Sequence, residues 1–123
     1  MANVVSWFEI PVTDMDRASA FYRTVLSTDL QRADMGGDPY AFFSASQESV
    51  GGALVQSAQH VPSNKEGTIV YLNGGEDLTA PLSRVESAGG RVLLPKTLIS
   101  EGMGYFAFFQ DTEGNKVGLF SMH

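Results

Sequence analysis

The chain has 123 residues (13.3 kDa), 43% of them hydrophobic and 18% charged, with a formal net charge of −6. That length suits one domain with a real hydrophobic core, and an acid excess with no Lys/Arg cluster excludes nucleic-acid backbone and anionic membrane surfaces as partners. With no cysteine, disulfides, thiol nucleophiles and thiolate metal sites are excluded too.

The opening "MANVVSWFEI" lacks the basic segment and apolar run of a secretory signal. No stretch reaches the roughly 18 consecutive apolar residues a membrane helix needs, so a cytoplasmic protein is expected. Residues 4–12 alternate like a strand, which puts Phe8, Ile10 and Val12 on a core face and Trp7 and Glu9 together on the other. Thr13 followed three residues later by Asp16 resembles a capping box. Met15, Ala18, Tyr22, Val25 and Leu26 then share one helical face.

Three extended segments follow, "LQRADM", "YAFFSA" and "VGGALVQ", separated by the turn compositions "GGDP" and "SQES". The polar, turn-rich "SAQHVPSNKEG" reads as a linker, and the order of elements then starts again. "GTIVYLN" reads as a strand, and Leu78, Leu82, Val85 and Ala88 form a second helical stripe ending at Gly89-Gly90. Pro81 lies near that helix's start, with Thr79 and Asp77 both eligible as caps. "RVLLPKTLI", "GYFAFFQ" and "KVGLFSM" are strands, the last two joined by the hairpin turn "DTEGN".

Both halves therefore read strand–helix–strand–strand–strand. At an offset of 66, Ala41, Phe42, Phe43 and Gly52 fall on Ala107, Phe108, Phe109 and Gly118, which supports an internal repeat. The expected organisation is one domain over 1–123, with a first module at 1–58, a linker at 59–65 and a second module at 66–123. In each Phe pair, 42/43 and 108/109, alternation sends one ring to the core.

The doubled unit, with "IPVTDMDRASAFY" near its start and "FFQDTEGNKVGLF" near its end, resembles the vicinal oxygen chelate superfamily. That group includes glyoxalase I, extradiol dioxygenases and bleomycin-binding proteins. The resemblance spans essentially the whole chain and implies an α+β fold of two tandem βαβββ modules forming an incomplete barrel, or cup. It also implies pairing with a second chain, here a homodimer. Many members hold a divalent metal in the cup. Carried over through "VTDM" and "DTEGNKVGL", the ligand positions fall on Trp7 and Gly118, with counterparts at about Ile69 and at Gly52. None of these side chains is a metal donor. His60, in the linker, and His123 are the only histidines, and neither has a second donor at ligand spacing, so both are expected to be exposed. No metal and no cofactor are expected.

The vacated positions still mark the inward face that the resemblance implies. By alternation it carries Trp7 and Glu9; Gly52, Leu54 and Gln56; Ile69, Tyr71 and Asn73; and Gly118, Phe120 and Met122. Such a lining, aromatic and apolar with a few polar groups, suits a small organic molecule. Glu9 is the one carboxylate on it, either an anchor for a ligand's donor or a general base. Three functions stay open: a metal-free binding protein, a metal-independent isomerase or lyase using Glu9, and an interaction protein whose cup is filled. Whether the cup forms within one chain or across a module-swapped dimer is equally open. "GGEDL" lacks a P-loop's Lys-Ser/Thr, and no nucleophile elbow is present.

Overall fold

The computed structural model describes residues 3–46, 48–63 and 65–123. Met1 and Ala2 of the opening segment, Gln47 of the "SQES" turn and Asn64 of the linker lie outside the described residues. The elements run β1 (Trp7–Pro11), α1 (Met15–Leu26), β2 (Leu30–Met35), β3 (Asp38–Phe43) and β4 (Gly51–Val55). They continue with β5 (Tyr71–Asn73), α2 (Thr79–Ser83), β6 (Arg91–Ser100), β7 (Gly104–Gln110) and β8 (Lys116–Ser121). Two four-stranded mixed sheets result, ordered β1-β4-β3-β2 and β5-β8-β7-β6. The two orders are the same, β1 pairing parallel with β4 and β5 with β8. The architecture is α+β with no closed barrel, the open form that the resemblance implies.

Alternation decides what each sheet buries. Ile10, Leu54 and Ala41 lie in one row of the first sheet, and Leu72, Leu119 and Ala107 in one row of the second. All six are buried and join one core cluster with Met15, Ala18, Phe21, Tyr22 and Val25 of α1. The Tyr22 ring touches both sheets, edge-on to Phe43 at 5.7 Å and tilted against Phe109 at 6.3 Å between centroids. The helix-bearing faces of the two sheets thus share one core, and the other face of each sheet looks outward.

The β7–β8 turn closes this core from outside. Glu113, its side chain fully buried, accepts from the backbone N–H of Thr13 and of Asp14, both at 2.8 Å, and from Arg17 Nε at 2.7 Å. Desolvation pushes the Glu113 carboxyl up. The Arg17 guanidinium and the two N–H donors outweigh it and hold the group at about 2. Asp111 accepts from the buried Tyr22 hydroxyl at 2.7 Å and from Asn115, which also donates to the Pro11 carbonyl at 2.7 Å. Burial raises the Asp111 carboxyl despite those bonds, and burial beside Asp111 raises the Tyr22 phenol well above its ordinary value.

Local expectations change in four places. The N-cap of α1 is Asp14, accepting from Arg17 N–H, because Thr13 is held by Glu113 and Met15 N–H donates to Gln56 Oε1 at 2.9 Å. Only Tyr71–Asn73 of "GTIVYLN" forms a strand, although the Val70 carbonyl just before it still accepts from Gly118 N–H of β8 at 2.9 Å. The second helix is regular only over Thr79–Ser83, with Leu78 at its N-cap making no side-chain cap bond. Leu78 N–H instead donates to Ser121 Oγ, while Asp77 accepts from Thr79 N–H.

The fourth change matters most for the site. Ala41 and Ala107 are equivalent, but Ala41 pairs with Leu54 and Ala107 with Leu119, so the connection after β3 is one residue longer than that after β7. A one-residue slip exchanges the two faces of a strand. Gly52 and Leu54 therefore face α1, Gly52 beneath the Phe8 ring and Leu54 fully buried in the core. Ala53, not Gly52, is the counterpart of Gly118.

Candidate functional site: two outward aromatic faces

The outward face of the first sheet is built on β1 and β3. Trp7 lies over Gly51, where a Cβ would come within 3.1 Å of its indole. From Trp7 a ladder of rings runs to Phe42 at 6.0 Å and on to Tyr40, stacked on Phe42 at 5.8 Å. The second sheet repeats the device. Tyr71 lies over Gly118, where a Cβ would come within 2.5 Å of the ring. Its ladder runs to Phe108 at 5.7 Å and on to Phe106 at 5.3 Å. Each large aromatic is laid flat by a glycine on the neighbouring strand, the close approach that glycine permits. Trp7, Tyr71, Phe120 and Met122 are 45%, 49%, 36% and 51% exposed, too much for core side chains.

The polar groups of the first face converge on Glu9. Its Oε2 accepts from Trp7 Nε1 at 3.3 Å, and its Oε1 lies 2.9 Å from His60 Nε2. His60 Nδ1 lies 3.2 Å from Ser57 Oγ, which also accepts from Gln59 N–H. Opposite an ionised Glu9, Nε2 carries the hydrogen, and a neutral ring then accepts the Ser57 hydroxyl proton at Nδ1. Glu9 and His60 side chains are both roughly a third exposed, so the pair meets solvent at the edge of the aromatic surface. On the second face, Tyr71, Asn73, Phe120 and Met122 line an open concavity of about 790 Å³.

Trp7, Glu9, Tyr71, Asn73, Gly118 and Phe120 therefore share outward faces, as alternation requires. Met122 follows β8 into the same concavity, and Ile69 precedes β5, in step with Tyr71. Leu54 and Gln56 do not belong to them: the first is core and the second caps α1. His60 is not the free linker residue that its position suggests, because the linker folds back to bring it onto Glu9. Sequence reasoning also left out Tyr40, Phe42, Phe106 and Phe108. The repeated "AFF" carried the signal, since its middle ring must face away from its alanine.

The donor set does not fit a divalent metal. By register the four vacated ligand positions hold Trp7, Ala53, Ile69 and Gly118, which offer no donor side chain. Among the described residues no group of three or more His, Asp or Glu gathers at ligand spacing.

A family model described as the Glyoxalase/Bleomycin resistance protein/Dioxygenase superfamily matches residues 4–119. A glyoxylase-like domain-containing protein from Didymella fabae is 30% identical over 115 residues, covering 90% of this chain and 88% of that one. Among solved structures, TnmS3, an antibiotic binding protein from Streptomyces sp. CB03234, superposes with a TM-score of 0.66 at 26% identity, over 100% of this chain and 99% of its own. An E144Q mutant of glyoxalase I from Zea mays superposes with a TM-score of 0.72 at 18% identity, over 94% of this chain and 44% of its own.

Proposed function

This chain belongs to the Glyoxalase/Bleomycin resistance protein/Dioxygenase superfamily, and from that premise we propose that it binds a small, partly aromatic or amphipathic organic molecule in a metal-free cup. The observation that carries this reading is the pair of ring ladders, Trp7–Phe42–Tyr40 and Tyr71–Phe108–Phe106, whose leading rings Trp7 and Tyr71 are exposed and whose other rings are half-buried. Aromatic surface left partly open to water is the lining expected of a pocket for organic ligands. The antibiotic-binding neighbour TnmS3 favours the same reading. The binding residues are then Trp7, Glu9, Ile69, Tyr71, Asn73, Gly118, Phe120 and Met122. The test is calorimetry with a panel of polycyclic aromatic natural products. Trp7→Ala is expected to weaken any ligand found by tenfold or more, about 1.4 kcal/mol. Full retention of affinity sinks the reading.

The helix-bearing faces of the two sheets share one core, so neither sheet covers the aromatic face of the other. A two-fold homodimer supplies that cover, setting the first module (1–58) of one copy against the second module (66–123) of the other. Light scattering at micromolar concentration is expected to give twice the chain mass. A monomer at that concentration overturns the shared cup.

Glu9–His60 favours a second reading, a metal-independent isomerase or lyase with Glu9 as general base. Glu9 already accepts from Trp7 and lies within hydrogen-bond reach of His60, which suits an anchor better than a free base. Glu9→Gln separates the two: an anchor loses affinity, by about 1.5–3 kcal/mol for a charged hydrogen bond. A base instead loses turnover with binding kept.

A further inference from the structure

Two lysines of this chain lie over aromatic rings, and they differ in one respect. Lys96 Nζ stands 4.5 Å from the Tyr105 ring centroid and is neutralised by Asp77 at 3.0 Å. Lys116 Nζ stands 4.3 Å from the Phe108 ring centroid. Among the described residues no carboxylate forms an ion pair with it. Glu66 lines the same cleft without pairing with it.

Its position is more telling than its charge. Lys116 lies two residues before Gly118 on β8, on the same outward face, and Phe108 lies between Tyr71 and Phe106 in the second ladder. The ammonium therefore borders a cluster of tilted rings in which Tyr71, laid over Gly118, is the exposed member. Glu9 lines a cleft together with Lys116 and Glu66, but its carboxylate is engaged by Trp7 and His60 rather than by the ammonium. A ring packed on Tyr71 can turn an acidic substituent towards Lys116, where partial exclusion of water strengthens the attraction.

We propose that the ligand is an aromatic anion, a planar ring system bearing a carboxylate or ionised phenol, whose charge is read by Lys116 while its ring packs on Tyr71. This rests on the binding function proposed above and narrows it to a chemical class. The test compares 2-naphthoate with its neutral analogue 2-naphthamide by calorimetry, on the intact protein, Lys116→Met and Lys116→Arg, each checked for unchanged circular dichroism and melting temperature. The intact protein is expected to prefer the naphthoate by about tenfold. Lys116→Arg should keep that preference and Lys116→Met reduce it to within about twofold. Equal affinity for both compounds in the intact protein overturns the aromatic anion and leaves the binding function standing, as does a preference that survives Lys116→Met. Absence of binding by both compounds also overturns it, and the binding function falls with it only if the wider aromatic panel fails as well.

Discussion

Glu113→Ala is expected to destabilise the fold by about 3 kcal/mol, read as a lower urea midpoint at unchanged m-value. The substitution leaves the N–H groups of Thr13 and Asp14 without their acceptor and releases Arg17. The same carboxylate makes stability depend on acid. Its folded value, about 2, lies below the ordinary 4.5, so its contribution is complete above pH 4.5 and is lost as pH falls towards 2. Asp111 works in the opposite sense: its raised value favours the protonated folded state as pH drops. In Glu113→Gln the acid-sensitive loss below pH 4.5 should therefore shrink markedly. An unchanged acid-unfolding profile in that variant would show that Glu113 does not carry it.

Gly90→Ala should be nearly as damaging although it adds one methyl group. The new Cβ would lie 2.5 Å from the Gln110 carbonyl oxygen and 2.7 Å from the Phe21 ring. The ring can turn only against Phe109 and Tyr22, and the carbonyl belongs to a paired strand. Overpacking of this kind costs about 1–3 kcal/mol, a fall of roughly 5–15 °C in melting temperature for a chain of this size. A melting temperature within a degree of the parent would mean that the strand gives way more easily than its pairing suggests.

The elements and their doubling were legible because alternation and helical spacing are local signals. Trp7 and Glu9 share a face, and the Phe pairs split, for the same reason. What failed was register. Gly52 looked like the partner of Gly118, but one extra residue in the connection after Phe43 turned Leu54 to the core and Ala53 outward. Loop length is nearly invisible to a pattern that compares strands alone. The other failures were long-range. Gln56 caps a helix 41 residues before it, and His60 meets Glu9 from 51 residues away. No spacing rule connects such residues, since the fold itself brings them together.

The clasp at the β7–β8 turn also has a consequence in time. Glu113 meets the first turn of α1 across 96 to 100 residues, and Asn115 reaches Pro11 across 104. During synthesis the amphipathic helix emerges early, with Tyr22 and Phe21 unable to reach the second sheet, and waits for almost the whole chain. Loop closure over that distance is entropically costly and slow compared with local pairing. Docking of the last hairpin onto α1 is therefore expected to come late in folding. Until that hairpin leaves the ribosome, the first half exposes the apolar stripe of α1, and a holding chaperone has the most to do there.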